Sequence, residues 1–464
     1  MNDILKLSLA ELSRKIKSGA ISPIEATEAC LARIKATDNT LGAYVQVLAD
    51  EARAAASEAE AAIKAGKWKG PLHGVPVALK DLYDIEGVPT TASSRVRKDW
   101  VPKADGATTA ALKDAGAIIL GKTHTHEFAY GITTPTSRNP WDPERIPGGS
   151  SGGSGATVAS GGAFLGMGTD TGGSIRIPAA LCGVVGLKPT FGRTSRFGVT
   201  SLSWGLDHVG PLTRTVEDAA ICLQVLAGYD PRDPGSLNEP VPDYSATLDQ
   251  GVKGLRVGVP TNYFFDNVEP EVQEAVRAAY AKLAELGAEL VEVSLPMPEQ
   301  IMAIEFAICL PEASAYHRRM LRETPDGYND DVRAFLEAGE MVPATTYIQA
   351  LRVRNLLQQR FQKLYDSVDV IVAPTVAATA VKAGTESITW QDGTEEPLSS
   401  VYVRLSAPAN VTGLPSLSVP CGFSSDGLPI GFQAIGRPLD EATILRLGAA
   451  YEAATDWSKR HPEL

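Results

Sequence analysis

Three polar side chains stand where polar side chains do chemistry. Ser174 lies behind two glycines in GTDTGGSIRIP (168–178), and Ser150 stands behind another pair, Gly148-Gly149, 24 positions earlier. A serine in such a setting is either a surface turn or a nucleophile whose neighbours leave room for a substrate. A nucleophilic serine needs a base to take its proton, yet no histidine lies within thirty residues of Ser174. Lys80 ends the apolar run Val75-Pro76-Val77-Ala78-Leu79, where a strand would carry its amine into the interior or to a site at the sheet edge. Alone, each residue is ordinary: a turn serine, a solvated lysine. Together, in a region with little side-chain bulk, they point to a ligand site.

Three other motifs promise more than their contexts support. GAIILGKT (116–123) matches the phosphate-loop pattern, but its intervening Ala117-Ile118-Ile119-Leu120 reads as the strand itself, which commits the N–H groups a phosphate would need. No nucleotide is expected there. His124 and His126 resemble the paired histidines of metal-dependent amidohydrolases, but His73, His208, His317 and His461 add no metal-ligand spacing, so no metal is expected. GGSSG (148–152) fits the nucleophile elbow of α/β-hydrolases, but the preceding proline and glycines are a poor strand ending.

The elements that must position these residues alternate between helix and strand. Ser8 with Glu11, and Ser22-Pro23-Ile24-Glu25, read as capping boxes opening helices. Leu48 to Ala65 should be an exposed helix, Thr108 to Ala115 another, and Ala117 to Leu120 a buried strand. Leu255–Pro260, Pro270–Leu286 and Glu289–Leu295 form a βαβ unit; VDVIVAP, SLSVPCGF and PIGFQAIG read as late strands, with a helix from about Asp440. The expected fold is α/β, one large domain with a mixed central sheet covered by helices on both faces. Within it, 1–66 is a helical N-terminal part, 67–225 a core carrying the reactive residues, and 226–464 a variable pocket region with the C-terminal strands and helix.

At residues 147–193 the chain resembles the defining segment of the amidase signature family, in GGSSGGSGATVASGGAFLGMGTDTGGSIRIPAALCGVVGLKPTFGR. HGVPVALKD, the NPW of Asn139 to Trp141 and the late GLPSLSVPCGF match as well, so the resemblance covers nearly the whole chain. It implies an amidase with a serine–cis-serine–lysine triad. Ser174 would be the nucleophile, Ser150 the relay after a cis Gly149-Ser150 bond, and Lys80 the base, provided burial keeps its amine neutral. It further implies an oxyanion hole from the N–H groups of Thr171, Gly172, Gly173 and Ser174, and no cofactor. Asp170 and Arg176 flank the loop and are expected to pair and hold it. Gly149, Ser151, Phe128 and Tyr130 are expected at the substrate. The apolar stretch IMAIEFAICL (301–310) reads equally as pocket wall or buried helix.

The family also contains the glutaminase subunit of the tRNA-dependent amidotransferase. That subunit holds glutamine with an aspartate where this chain has Val403 and with an arginine in a segment that appears here as Asp331-Val332-Arg333-Ala334-Phe335. The expected substrate is therefore a small, aryl or acyl amide, with a carbamate or urea derivative as the alternative and glutamine disfavoured. The bulk numbers agree. In 464 residues, 44% are hydrophobic and the net charge is −12 without a basic cluster, which disfavours nucleic acid. No apolar stretch is long enough to span a membrane. Five scattered cysteines without a CxxC pair, and an N-terminus without a signal-peptide pattern, fit a cytoplasmic enzyme. Nothing argues against a homodimer.

Overall fold

Both capping boxes close as the sequence specifies: Ser8 and Glu11 open helix Leu9–Ser18, and Ser22 and Glu25 open helix Pro23–Leu41. The computed structural model describes residues 2–464. Its strands are β1 (Tyr44–Val47), β2 (Pro76–Lys80), β3 (Ile118–Thr123), β4 (Leu165–Asp170), β5 (Val185–Lys188), β6 (His208–Thr213), β7 (Arg256–Pro260), β8 (Glu289–Val293), β9 (Val370–Pro374), β10 (Ser387–Thr389), β11 (Glu395–Pro397), β12 (Ser416–Phe423) and β13 (Pro429–Gly436). Eleven of them form one sheet in the order β1-β3-β2-β4-β6-β5-β12-β13-β9-β7-β8, while β10 and β11 make a separate hairpin. The pairings β2–β3, β2–β4, β7–β8 and β7–β9 are parallel and the rest antiparallel. The α/β fold with one large mixed sheet is therefore as expected.

β7, helix Pro270–Glu285 and β8 form the expected βαβ unit, with Arg256 opposite Glu289 in parallel register. The late strands fall on β9, β12 and β13, and Asp440 caps the last helix, Glu441–Ala453. One boundary differs. The strand expected over 117–120 runs on to Thr123, carrying Lys122 into the interior. There its ammonium meets Asp81 at 3.1 Å and donates to the Tyr83 carbonyl at 2.7 Å. The lysine of the phosphate-loop match is thus a buried structural ion pair.

What matters for function is the parallel group β3-β2-β4. Every residue of these strands is buried, as parallel strands covered on both faces must be. Their C-terminal ends deliver Lys80, Thr123 and Asp170 to one edge, the usual side for ligands in parallel sheets. Helix Gly152–Ser160 packs directly on β4, and the approach is close: a Cβ on Gly168 would come 2.9 Å from Ser151 Oγ and 2.8 Å from Leu212 Cδ1. Glycine there lets a serine-bearing turn lie against the strand next to Lys80.

Candidate active site

Lys80 is completely buried, and its amine has three hydroxyl neighbours: Ser150 Oγ at 2.8 Å, Ser151 Oγ at 2.9 Å and Thr169 Oγ1 at 2.8 Å. Among the described residues it has no ion pair. Burial lowers its pKa well below that of free lysine, and the Asp170 and Asp207 carboxylates oppose this only in part. A fully buried lysine without a carboxylate partner favours the free amine. Such an amine accepts a proton from a hydroxyl.

The peptide bond Gly149-Ser150 is cis, as the family resemblance implies. Gly149 itself abuts the backbone of Ile132 and Thr133, where any Cβ would fall within 2.9 Å. Ser150 is fully buried beside Lys80, whereas Ser174 is 5% exposed and lines a cavity. The Ser151 N–H donates to the Ser174 carbonyl at 3.2 Å, tying the two serine loops together. The Ser174 hydroxyl has no hydrogen-bond partner among the described residues, and the hydroxyls bonded to Lys80 are those of Ser150, Ser151 and Thr169.

Asp170 organises the loop that holds Ser174. Its carboxylate accepts from the N–H groups of Gly173 (2.8 Å) and Ile175 (3.1 Å), from Arg176 Nε (3.1 Å) and Nη2 (3.0 Å), and from Asn410 Nδ2 (2.7 Å). Burial alone would raise its pKa, but the Arg176 guanidinium, Lys188 and Asn410 hold it well below the usual range. The expected Asp170–Arg176 pair is present, and both side chains are wholly buried. This arrangement corrects the oxyanion set. The Gly173 N–H is committed to Asp170, leaving those of Thr171, Gly172 and Ser174 without a protein acceptor among the described residues. Gly173 has φ +127° and its Cβ would overlap Ser406 Oγ, so glycine is required there to shape the loop.

The cavity beside Ser174 has a volume of about 70 Å³ and opens to the surface. Its walls include Tyr130, Ile132, Leu202, Phe306, Phe335 and Val403, together with Thr171 and Gly172. Tyr130 is where it was expected. Phe128 is not: Phe128 and Ala129 both adopt positive φ (51° and 63°), a turn uncommon for a bulky residue. It sends the Phe128 ring into the core, edge-on to His317 at 4.3 Å. Ser151 is likewise on Lys80 and not on the cavity wall. Helix Ile301–Glu323 serves both readings of 301–310, turning Ile301, Ile304 and Ile308 into the core while Glu305, Phe306 and Cys309 reach the cavity.

Thr169, Asn410 and Glu305 join the site without having been singled out by the sequence. Thr169 had a usable signal, since it sits on the same strand segment as Asp170. Asn410 had none beyond its place three residues before the GLPSLSVPCGF segment, on the short helix Ala407–Thr412. The histidines stay apart. His124 Nδ1 meets Ser93 Oγ at 3.2 Å and His126 Nε2 meets Asp331 at 2.9 Å, and no group of three metal-binding side chains occurs among the described residues. Prolonged chelation should leave activity intact; a loss restored by zinc or manganese would overturn this.

A family model described as Amidase matches residues 25–445. A protein named Amidase from Pseudomonas putida is 59% identical over 465 residues, covering all of this chain and 99% of that one. A glutamyl-tRNA(Gln) amidotransferase subunit from Roseiflexus sp. is more distant, 42% identical over 99% of this chain and 98% of its own. Among solved structures, a bacterial aryl acylamidase of the amidase signature family superposes with a TM-score of 0.90 at 31% identity, over 98% of this chain and 97% of that one. The chain belongs to the amidase signature family and is an amidase, a hydrolase of carbon–nitrogen bonds. No helix among the described residues is long and apolar enough to cross a membrane.

Proposed function

We propose that this amidase cleaves small, aryl or acyl amides through an acyl-enzyme on Ser174. The observation that carries the reading is the fully buried, carboxylate-free Lys80 amine at 2.8 Å from Ser150 Oγ. Ser174 Oγ attacks the carbonyl carbon while its proton passes to Ser150, whose own proton passes to the Lys80 amine. The carbonyl oxygen becomes an oxyanion, held by the free N–H groups of Thr171, Gly172 and Ser174. The proton on Lys80 then returns through Ser150 to the leaving nitrogen, the C–N bond breaks, and the acyl group stays on Ser174. Water enters by the same relay and releases the acid. Every step is proton transfer and acyl transfer. Carbamates and ureas of similar shape fit the same steps. Residues 67–225 supply this chemistry and eight of the cavity-lining residues, and 226–464 the other six. Five buried, unpaired cysteines suit a reducing, cytoplasmic setting.

The cavity favours an apolar or aromatic group, since Phe306, Phe335, Ile132 and Val403 line it. It is poorly suited to glutamine. Val403 stands in the wall where the glutaminase subunit has an aspartate. Arg333 is turned to the surface, paired with Glu337 at 2.7 Å and Asp326 at 3.0 Å. The isolated chain should therefore turn over simple amides and show little glutaminase activity; strong glutamine hydrolysis that appears only with a second subunit would reverse this. The acyl-enzyme is tested by a fluorophosphonate or sulfonyl fluoride probe, whose adduct should map to Ser174. An adduct on Ser150 or on another serine would sink the assignment.

A further inference from the structure

Two polar atoms in the cavity wall have no partner. Glu305 is 3% exposed, and its Oε2 makes no hydrogen bond. Tyr130 is 7% exposed, and its hydroxyl makes none either. Both residues line the cavity that holds Ser174. An unpaired buried polar group is destabilising, and one protein surface carrying two such groups in an otherwise apolar cavity is built to meet something polar. Glu305 also lies against the reacting end. A methyl on Gly172 would come 3.0 Å from Glu305 Oε1 and 3.1 Å from Val403 Cγ1.

We infer that Glu305 and Tyr130 are specificity-determining residues that together receive a neutral amide-type group, a carbonyl joined to an N–H, carried by the substrate close to its scissile bond. This deepens the proposed Ser174 chemistry and rests on it. The form of the carboxyl selects the ligand. Burial raises the Glu305 pKa well above the usual carboxyl value, and the Asp170 and Asp207 carboxylates raise it further, against Arg354 and Arg176. A neutral acid offers one O–H donor and one carbonyl acceptor side by side, which complements the N–H and C=O that a primary amide, or a urea or carbamate ending in NH2, presents on one edge. The Tyr130 hydroxyl supplies a second donor to the same carbonyl. A neutral carboxyl also suits its place beside Gly172, because a carboxylate there would repel the oxyanion as it forms. The substrate class is therefore narrower than apolar amides: one with a second amide-type group ending in NH2, such as a diamide or a monosubstituted urea.

The test uses the full-length chain and matched amides, with products followed by chromatography. One series carries the extra group on the acyl side, as succinamoyl (a terminal primary amide), branched alkyl isostere and β-alanyl amides of one amine. A mirror series carries it on the amine side. The wild type should prefer the primary-amide substrate to its alkyl isostere in kcat/KM by about tenfold or more in one series, as sites built around a hydrogen bond do. Glu305→Leu should collapse that ratio, Tyr130→Phe should lower it, and Glu305→Gln, which keeps a donor and an acceptor, should largely retain it. If Glu305→Leu fails to fold, the Gln and Tyr130→Phe variants decide the matter. Three outcomes overturn the inference: a ratio near one in both series for the wild type, equal losses on both substrates in the variants, or preference for the ammonium substrate abolished by Glu305→Gln. In each of these the probe adduct on Ser174 still forms; its loss from the wild type would instead refute the Ser174 chemistry itself.

Discussion

Replacing Lys80 by alanine is expected to lower kcat/KM for amides by about 10²- to 10⁴-fold, the usual contribution of a general base. The same change should erase an ionisation from the pH–rate profile. In the folded wild type burial lowers the lysine pKa well below 10.5. Activity should rise with pH as the amine loses its proton, then level off above that ionisation. Amides should suffer more than esters, because an amine leaves only when protonated and the same relay delivers that proton. Stability carries the same signature. Between the folded pKa and 10.5 the unfolded chain binds more protons at this residue than the folded one, so Lys80 makes stability rise with pH. Lys80→Met should flatten that slope in urea titrations at several pH values. A variant with undiminished amide turnover and the wild-type pH profile would mean that another group is the base.

Asp170→Ala should be the most damaging change to the loop that holds Ser174. It would leave the wholly buried Arg176 guanidinium without its carboxylate, and breaking a buried pair in this way costs about 3–5 kcal/mol. The N–H groups of Gly173 and Ile175 would lose their acceptor, and the backbone that presents Thr171, Gly172 and Ser174 would lose its anchor. The expected result is a lower urea midpoint together with a fall in kcat, with Asp170→Asn milder in stability because an amide oxygen still accepts from the loop. The pH dependence has a definite sign. The folded carboxyl is held below its ordinary value of 3.8, so its contribution is complete above that pH and is lost only in stronger acid. A stable and fully active Asp170→Ala variant would show that the loop holds its shape without this ion pair.

The local parts of this enzyme are written in local sequence. Ser8 and Ser22 with their glutamates start helices, the run before Lys80 is a strand, and paired glycines precede Ser150 and Ser174, because capping, strand pattern and backbone freedom depend on residues a few positions apart. The resemblance at 147–193 extended this to the named triad. What only the tertiary structure decided depends on residues far apart in the chain. Lys80 meets Ser150 across 70 positions and Thr169 across 89, and Asn410 reaches Asp170 across 240. No local pattern encodes those meetings. The left-handed turn at Phe128 and Ala129 moved one expected wall residue into the core and left Tyr130 in the cavity. The Gly173 N–H went to Asp170 because the carboxylate closes back over its own loop. Glu305 shows the limit most clearly: IMAIEFAICL reads equally as pocket wall or buried helix, and only the packing of that helix over Gly172 makes its one charged residue a buried acid lining the cavity.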